Sequence, residues 1–228
     1  MIRLNFVVEG QTEETFVRDV LGPHLSNTGV ICSVRCVETG RKRGQVFRGG
    51  MISYAKFHRD LTLWMRQDQG QDAHFTTMLD LYRLPGDFPG YDDARALPDA
   101  LGRAALLEEL FCADVSHHRG QFIPYIQPFE FEALLFSDPQ VFLRRFPNGG
   151  CRVGELSTVR ASFPSPEHIN DDEPPSKRIL AVFPDYDKRA DGPIIAVEIG
   201  LDPVRRQCAH FDEWLRRLEQ LGEEDCLG

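Results

Sequence analysis

The first 140 residues alternate between strand-like and helix-like runs, and that alternation restricts the fold more than any other feature of the chain. The opening stretch, MIRLNFVVEGQTEETFVRDVL, sets the pattern. An apolar run over Ile2 to Val8 stops at Glu9-Gly10. Helical spacing then runs from Thr12 to Leu25, with Phe16, Val17, Val20 and Leu21 on one stripe. Val30 to Val37 is β-branched and strand-like, and Gly49-Gly50 breaks the chain after it. Met51 to Gln67 returns to helical spacing through Ile52, Tyr54, Phe57, Leu61 and Trp64. His74 to Leu81 reads as a strand, Pro85 to Tyr91 as a turn-rich loop and Asp99 to Val115 as a helix. Gln121 to Ile126 is a short strand, and Phe129 to Phe136 starts another helix. Parallel strands need long crossovers, which helices supply. The expected fold class is therefore α/β, a mostly parallel sheet with helices on both faces and right-handed crossovers.

The second half is less regular. Asn148 to Pro175 is rich in Pro, Ser, Gly and acidic residues and reads as a long irregular connection. Pro175 to Ile179 starts a helix, with Ser176 as a candidate cap. Pro203 to Leu221 reads as one amphipathic helix, capped by Asp202, with Cys208, Phe211, Leu215 and Leu218 inward. The expected organisation is a single domain over 1–228. Residues 1–140 would form the core sheet and metal site, and 141–228 the irregular connection and a C-terminal helical elaboration. A chain of 228 residues can bury a sizeable core.

Charge and cysteine usage narrow the function. The formal net charge is −9, so no global field draws the protein to phosphate backbones. A nucleic-acid role would need local basic patches, metal ions or a partner. One basic run exists, Arg41-Lys42-Arg43 with Arg48 beyond it, and it also fits a solvated loop tip. No apolar stretch approaches the ~20 residues a bilayer helix needs, so no membrane association is expected. No basic segment followed by an apolar core opens the chain, so no secretory leader is expected either. Cys32, Cys36, Cys112, Cys151, Cys208 and Cys226 show no zinc spacing, and reduced cytoplasmic thiols are expected.

In open parallel α/β sheets, ligands gather at the carboxyl ends of the strands. Three acidic features fall there: Glu9 after the first strand, Asp80 near the end of the HFTTMLDL strand, and Glu130 with Glu132 after IPYI. Glu13 lies one helical turn beyond Glu9 and can point back to the same place. Gly10 permits a tight strand-to-helix turn. Converging carboxylates suit Mg²⁺ or Mn²⁺, which prefer hard oxygen ligands. Each residue also has a plainer reading. Glu13 and Glu14 fit a helix cap, and Asp80 fits the start of a turn. Glu130 and Glu132 are two apart, so on a helix they do not share a face. One would then reach the metal, and the other would hold an arginine or a helix N-terminal amide.

VVEGQTEE after a first strand resembles the opening motif of TOPRIM domains, the metal sites of topoisomerases, primases and overcoming-lysogenization-defect (OLD) nucleases. The resemblance implies that Glu9 acts in catalysis or metal binding. The second TOPRIM motif is Asp-x-Asp, and here it reads Asp80-Leu81-Tyr82, with Tyr82 in place of the second aspartate. That departure speaks against topoisomerase or primase activity and leaves a nuclease open. The stretches MLDLYRLPGDFPGY, IPYIQPFEFEALLFSDP, PPSKRI, YDKRADGPIIAVEIGL and CAHFDEWLRRLE resemble an uncharacterised bacterial TOPRIM-like domain-of-unknown-function family of about this length. That resemblance implies an ATPase partner of AAA or SMC-like type in anti-phage defence or DNA maintenance. The resemblance to OLD-like nucleases further implies a lysine stabilising charge on the scissile phosphate, a role for which Lys177 is the first candidate and Lys188 the second. His117-His118-Arg119 and His210 read as surface or structural groups. The expected function is Mg²⁺-dependent phosphodiester hydrolysis. Glu9 and Asp80 would hold one metal, Glu13 with Glu130 or Glu132 a second, and Lys177 would assist. Two alternatives stay open: a non-catalytic adaptor of an ATPase with a degenerate site, and a hydrolase of a small phosphorylated substrate.

Overall fold

Strand β1, Ile2–Val8, sits in the middle of the sheet because it is apolar on both sides. Leu4, Phe6 and Val8 enter the core on one face, and Val7 enters the core on the other. This double burial is what a nearly continuous apolar strand signals in a parallel sheet. The computed structural model describes residues 1–42, 45–48, 51, 53–116, 121–169 and 173–225. After β1, α1 (Gln11–Phe16) passes through a π-helical turn, Val17–Leu21, into α2 (Gly22–Ser26). Strand β2 (Val30–Cys36) follows, then an antiparallel pair, β3 (Glu38–Lys42) and β4 (Gln45–Arg48). Next come α3 (Tyr54–Gln67), β5 (Ala73–Asp80), a 3₁₀ turn at Leu81–Arg83, α4 (Tyr91–Arg95) and α5 (Ala100–Ser116).

Two-residue strands β6 (Phe122–Ile123) and β7 (Ile126–Gln127) complete the sheet. Its order is β2-β1-β5-β6, with β7 also on β5, and every described pairing in it is parallel. The expected α/β class with a mostly parallel sheet is therefore observed. One face is covered by α3 and α5, whose Phe57, Leu61, Phe111 and Val115 pack with Phe75 and Leu79 of β5. The chain beyond residue 130 packs on the other face. It runs through a 3₁₀ segment (Phe131–Ser137), α6 (Phe142–Arg145), α7 (Gly150–Ala161), α8 (Pro175–Val182), α9 (Lys188–Ile199), α10 (Leu201–Gln207) and α11 (Ala209–Asp225). Phe211, Trp214, Leu215 and Leu218 of α11 lie at helical spacing against the sheet, and Trp214 Nε1–H donates to Thr76 Oγ1 at 2.9 Å. Each such apolar side chain, fully buried, contributes about 1.5–3 kcal/mol. No described helix is long and apolar enough to cross a membrane.

Four sequence expectations are corrected here. The connection read as irregular over 148–175 contains the twelve-residue helix α7. Its Gly150, Gly154, Ser157 and Thr158 are poor helix formers, and it is held by burying Val153 and Leu156. The helix read as continuous from Pro203 to Leu221 is two helices broken at Cys208 (φ −117°, ψ 86°). Buried Glu167 explains the break, because its carboxylate accepts from the N–H groups of His210 and Phe211 at 3.2 and 2.9 Å and caps α11. Gly200, with φ 74°, precedes α10 in place of an Asp202 cap. Pro174 rather than Ser176 occupies the capping position of α8. The cysteines Cys32, Cys112, Cys151 and Cys208 are free thiols. Backbone at Arg41, Lys42 and Arg48 lies on β3 and β4. Arg43, Gly49, Gly50, the His117-His118-Arg119 cluster and Cys226 lie outside the described residues.

Candidate functional site

The central strands β1 and β5 run in the same direction with Val8 opposite Met78, so their carboxyl ends deliver Glu9 and Asp80 side by side. The Glu9 N–H continues the ladder to the Met78 carbonyl at 3.2 Å. Glu9 Oε2 in turn accepts the Asp80 N–H at 3.3 Å, and Glu9 Oε1 takes Arg83 Nη1 at 3.0 Å. Glu13, in the first turn of α1, accepts the Gly10 N–H at 2.9 Å. The capping reading of Glu13 thus holds, and the residue still lines the same cavity as Glu9 and Asp80. Gly10 has no side chain to return the contact, so this is half of a capping box.

Glu130 and Glu132 both belong to the cluster, contrary to the spacing argument that admits only one. The reason is backbone shape. Glu130 sits in extended backbone (φ −150°, ψ 163°) just before the 3₁₀ segment, so the two residues are not on one regular helix. Glu130 Oε1 accepts the Ser176 N–H at the start of α8, as a helix N-terminal amide partner should. Its other oxygen lies 3.3 Å from Lys188 Nζ. Glu132 Oε2 is 2.6 Å from the same ammonium, and Asp80 Oδ2 is 4.0 Å from it. Lys188 opens α9, whose capping residue Asp187 accepts from the N–H groups of Arg189 and Ala190 at 2.9 Å each. Lys188 is therefore the lysine at the carboxylates. Lys177 is exposed on α8, and no described contact ties it to the cluster.

All five carboxylates are 5% exposed or less. Burial is the main influence on each shifted group. It pushes Glu9 up, with the Glu13 charge adding to the effect and Arg83 opposing it. It pushes Glu13 up and raises Asp80 well above the usual carboxylate range, where the Glu9 and Glu13 charges reinforce it. Glu132 is pushed up to about 7, held down in part by Lys188. Burial alone would lower Lys188, but Glu132, Asp80 and Glu130 outweigh it and keep the ammonium charged beyond the ordinary lysine range. Tyr186, buried beside the cluster, directs its hydroxyl to Glu132 Oε1 at 3.5 Å. The site opens into a cavity of about 210 Å³ lined by Glu9, Glu13, Asp80, Arg83, Lys188 and Arg189.

Sequence reading did not find Arg83, Tyr186 or Arg189. The only signals were the basic residue two after Tyr82's neighbour Leu81 and the Tyr-Asp-Lys-Arg run ahead of a helix start. The donor set is all carboxylate oxygen, which suits a hard divalent cation. Among the described residues, no three Asp, Glu, His or Cys side chains stand close enough to enclose a metal on their own. Mg²⁺ does not require that, since it binds through one or two carboxylates and keeps several waters. The oxygen donors at the cavity-facing carboxylates therefore fit Mg²⁺, and Lys188 lines the same cavity as a positive charge.

Neither the curated proteins nor the solved structures searched contain a match to this chain. Residues 8–219 match the family model described as a domain of unknown function (DUF4276), and the chain belongs to that family.

Proposed function

We propose that this protein is a Mg²⁺-dependent nuclease that hydrolyses phosphodiesters in the cytoplasm together with an ATPase partner of AAA or SMC-like type. The observation that carries this reading is the excess of buried negative charge. Four of the five buried carboxylates share Lys188 and Arg83 as described ion-pair partners, Glu13 accepts only the Gly10 N–H among the described contacts, and Arg189 lies at the cavity. Isolated buried carboxylates are costly, so this excess calls for protons or a further cation. The TOPRIM resemblance of VVEGQTEE and MLDLY supports the same reading. Glu9 and Asp80, with Glu13 beside them, would hold the metal, and Mg²⁺ when bound would neutralise charge on the phosphate and lower the pKa of a bound water. Arg83 and Arg189 line the cavity and would orient the anionic substrate there. Lys188 holds Glu130 and Glu132 in place, and its ammonium would add positive potential at the site.

The acidic surface predicts weak binding to free nucleic acid, with the partner supplying a basic channel. The test is cleavage of plasmid DNA and tRNA by the purified chain with Mg²⁺, Mn²⁺ or EDTA, alone and with the product of the neighbouring gene. Metal-dependent cleavage that Glu9→Gln abolishes is the expected result. A second reading, a non-catalytic adaptor, is favoured by the way Lys188 already neutralises part of the cluster and by Tyr82 at the second acidic position. On that reading Glu9→Gln leaves the partner's activity intact.

A further inference from the structure

Two short backbone segments each serve two neighbouring cavities. The turn Leu81–Arg83 leaves Asp80 at the acidic cavity and places Leu81 and Tyr82 in the wall of a second cavity of about 190 Å³. It then returns Arg83 to the first cavity. Phe129 lines the second cavity, while the next residue, Glu130, reaches Lys188 in the acidic cluster. Phe129 has φ 65°, the one positive value outside glycine among the described residues. A bulky residue in that region persists only where its surroundings hold it, and such residues gather at functional sites. Here the Tyr82 N–H donates to the Phe129 carbonyl at 3.3 Å and ties the two segments together.

The second cavity has a definite chemistry. Tyr82, Tyr91 and Phe129 supply aromatic walls, and Arg95 and Arg103 supply guanidinium groups. Tyr82 is 48% exposed, so its ring is not core packing. The ring is nevertheless held in place. Arg83 Nε donates to the Tyr82 hydroxyl at 2.6 Å, and the guanidinium carbon stands 5.1 Å from the ring centroid. Arg95 stands 5.9 Å from the Tyr91 ring. Pockets for whole drug-sized ligands run to ~300–1,000 Å³, so this volume suits one ring system. Aromatic faces beside guanidinium groups suit a planar ring joined to an anion, which describes a nucleotide unit.

Resting on the reading of the acidic cavity as a phosphodiester site, we infer that the Tyr82–Tyr91–Phe129 cavity takes one unpaired nucleobase of a single-stranded nucleic acid, with Arg83 and Arg95 meeting the adjoining phosphates. A paired, stacked base has no free face to offer such a pocket. The substrate class is therefore single-stranded, and the shared turn sets the base beside the carboxylates that would act on its phosphodiester.

The test is fluorescence anisotropy at low salt in EDTA, with labelled oligothymidylate of about eight nucleotides, within the range one single-strand site covers. The comparisons are an abasic strand of the same length, a duplex and thymidine monophosphate. The oligonucleotide should bind at least about tenfold more tightly than any of these, the lower part of what one stacked base is worth. Tyr82→Ala should weaken oligonucleotide binding about tenfold and leave the abasic strand unchanged, and Tyr82→Phe should keep most of the affinity. Equal affinity for normal and abasic strands would overturn the inference, and that comparison needs no variant. A mononucleotide that binds as tightly as the oligonucleotide would overturn the assignment to a strand. Base-dependent binding without metal-dependent cleavage leaves the pocket standing and removes the hydrolytic reading. Glu9-dependent cleavage that is indifferent to Tyr82→Ala, with normal and abasic strands bound alike, removes the pocket alone.

Discussion

Replacing Lys188 with methionine keeps the apolar stem of the side chain and deletes its charge. The ammonium stands 2.6 Å from Glu132, 3.3 Å from Glu130 and 4.0 Å from Asp80. Without it, Glu132 retains the Tyr186 hydroxyl and Glu130 retains the Ser176 N–H, but neither keeps a described cation. Removing one partner of a buried ion pair costs roughly 3–5 kcal/mol. The Lys188 side chain is 30% exposed, so some water reaches the pair and the lower end, about 3 kcal/mol, applies. For a chain of this size each kcal/mol moves the melting temperature by about 2–4 °C, so Lys188→Met should melt roughly 6–12 °C lower. The assay is a thermal melt at neutral pH in EDTA and in millimolar Mg²⁺. A cation that binds only the folded state at a hundred times its Kd adds ~2.7 kcal/mol, so Mg²⁺ should recover a good part of the loss and stabilise the variant more than the wild type. A variant melting within about 2 °C of wild type would refute the charge argument, because the carboxylates would then not depend on the ammonium. A large loss that Mg²⁺ does not touch would refute the assignment of the cluster to a divalent cation.

Glu9→Gln should lower cleavage by at least about a hundredfold while leaving the melting temperature unchanged or higher in EDTA, since one crowded carboxylate is neutralised; a plasmid-nicking time course beside a thermal melt reads both. Glu167→Ala removes the acceptor for the buried N–H groups of His210 and Phe211 and should cost about 1–3 kcal/mol, read as a lower urea midpoint. Burial by itself would lower His210, but its 2.9 Å contact with Glu108 and the nearby Glu167 and Glu213 charges raise it above the ordinary histidine value of 6.5. The pair's stability is therefore fully present below about pH 6.5 and is lost as pH rises through the folded value. The urea midpoint of wild type minus that of His210→Phe should fall as pH rises above about 6.5, and a flat difference would contradict the pairing.

Much of the sheet was legible because β1 and β5 are buried on both faces and the edge strand β2 is rich in β-branched residues. The runs read over Ile2 to Val8, Val30 to Val37 and His74 to Leu81 match β1, β2 and β5 to within a residue or so at each end. The helical half was harder, for two physical reasons. Helix α7 has little intrinsic propensity and forms by packing against α8, so its four small residues looked like a loop. Helix α9 carries Gly192 and Pro193 in its interior, two residue types with poor helix propensity. The split at Cys208 follows a third logic. All four residues expected inward, Cys208, Phe211, Leu215 and Leu218, are buried, so the face was right. The break comes from Glu167, more than forty positions upstream in the chain, and no local pattern contains it.

The site shows why its residues supported two readings at once. Asp80 Oδ1 accepts the Phe131 N–H at 3.0 Å, the Glu9 carboxylate accepts the Asp80 N–H, and the Glu130 carboxylate accepts the Ser176 N–H. These are turn and capping contacts of the kind that explains each acid separately. In every case the second oxygen is left for a cation: Arg83 at Glu9, Lys188 at Asp80 and Glu130. The backbone contact and the contact with a basic side chain are thus made by two oxygens of one carboxylate. A backbone N–H fixes the group without charge of its own, so the acid is held rigidly in a buried place and its charge is offset only in part, by Arg83 or Lys188. That arrangement is poor for stability alone, since an apolar residue of similar volume would avoid the burial cost. It is what a site needs if it must hold carboxylates apart from each other and ready for a cation that arrives with its substrate. Spacing could place Glu9, Glu13 and Asp80 at one edge, but the choice of Lys188 over Lys177 and the joint use of Glu130 and Glu132 depend on extended backbone at Glu130 and on where α9 begins.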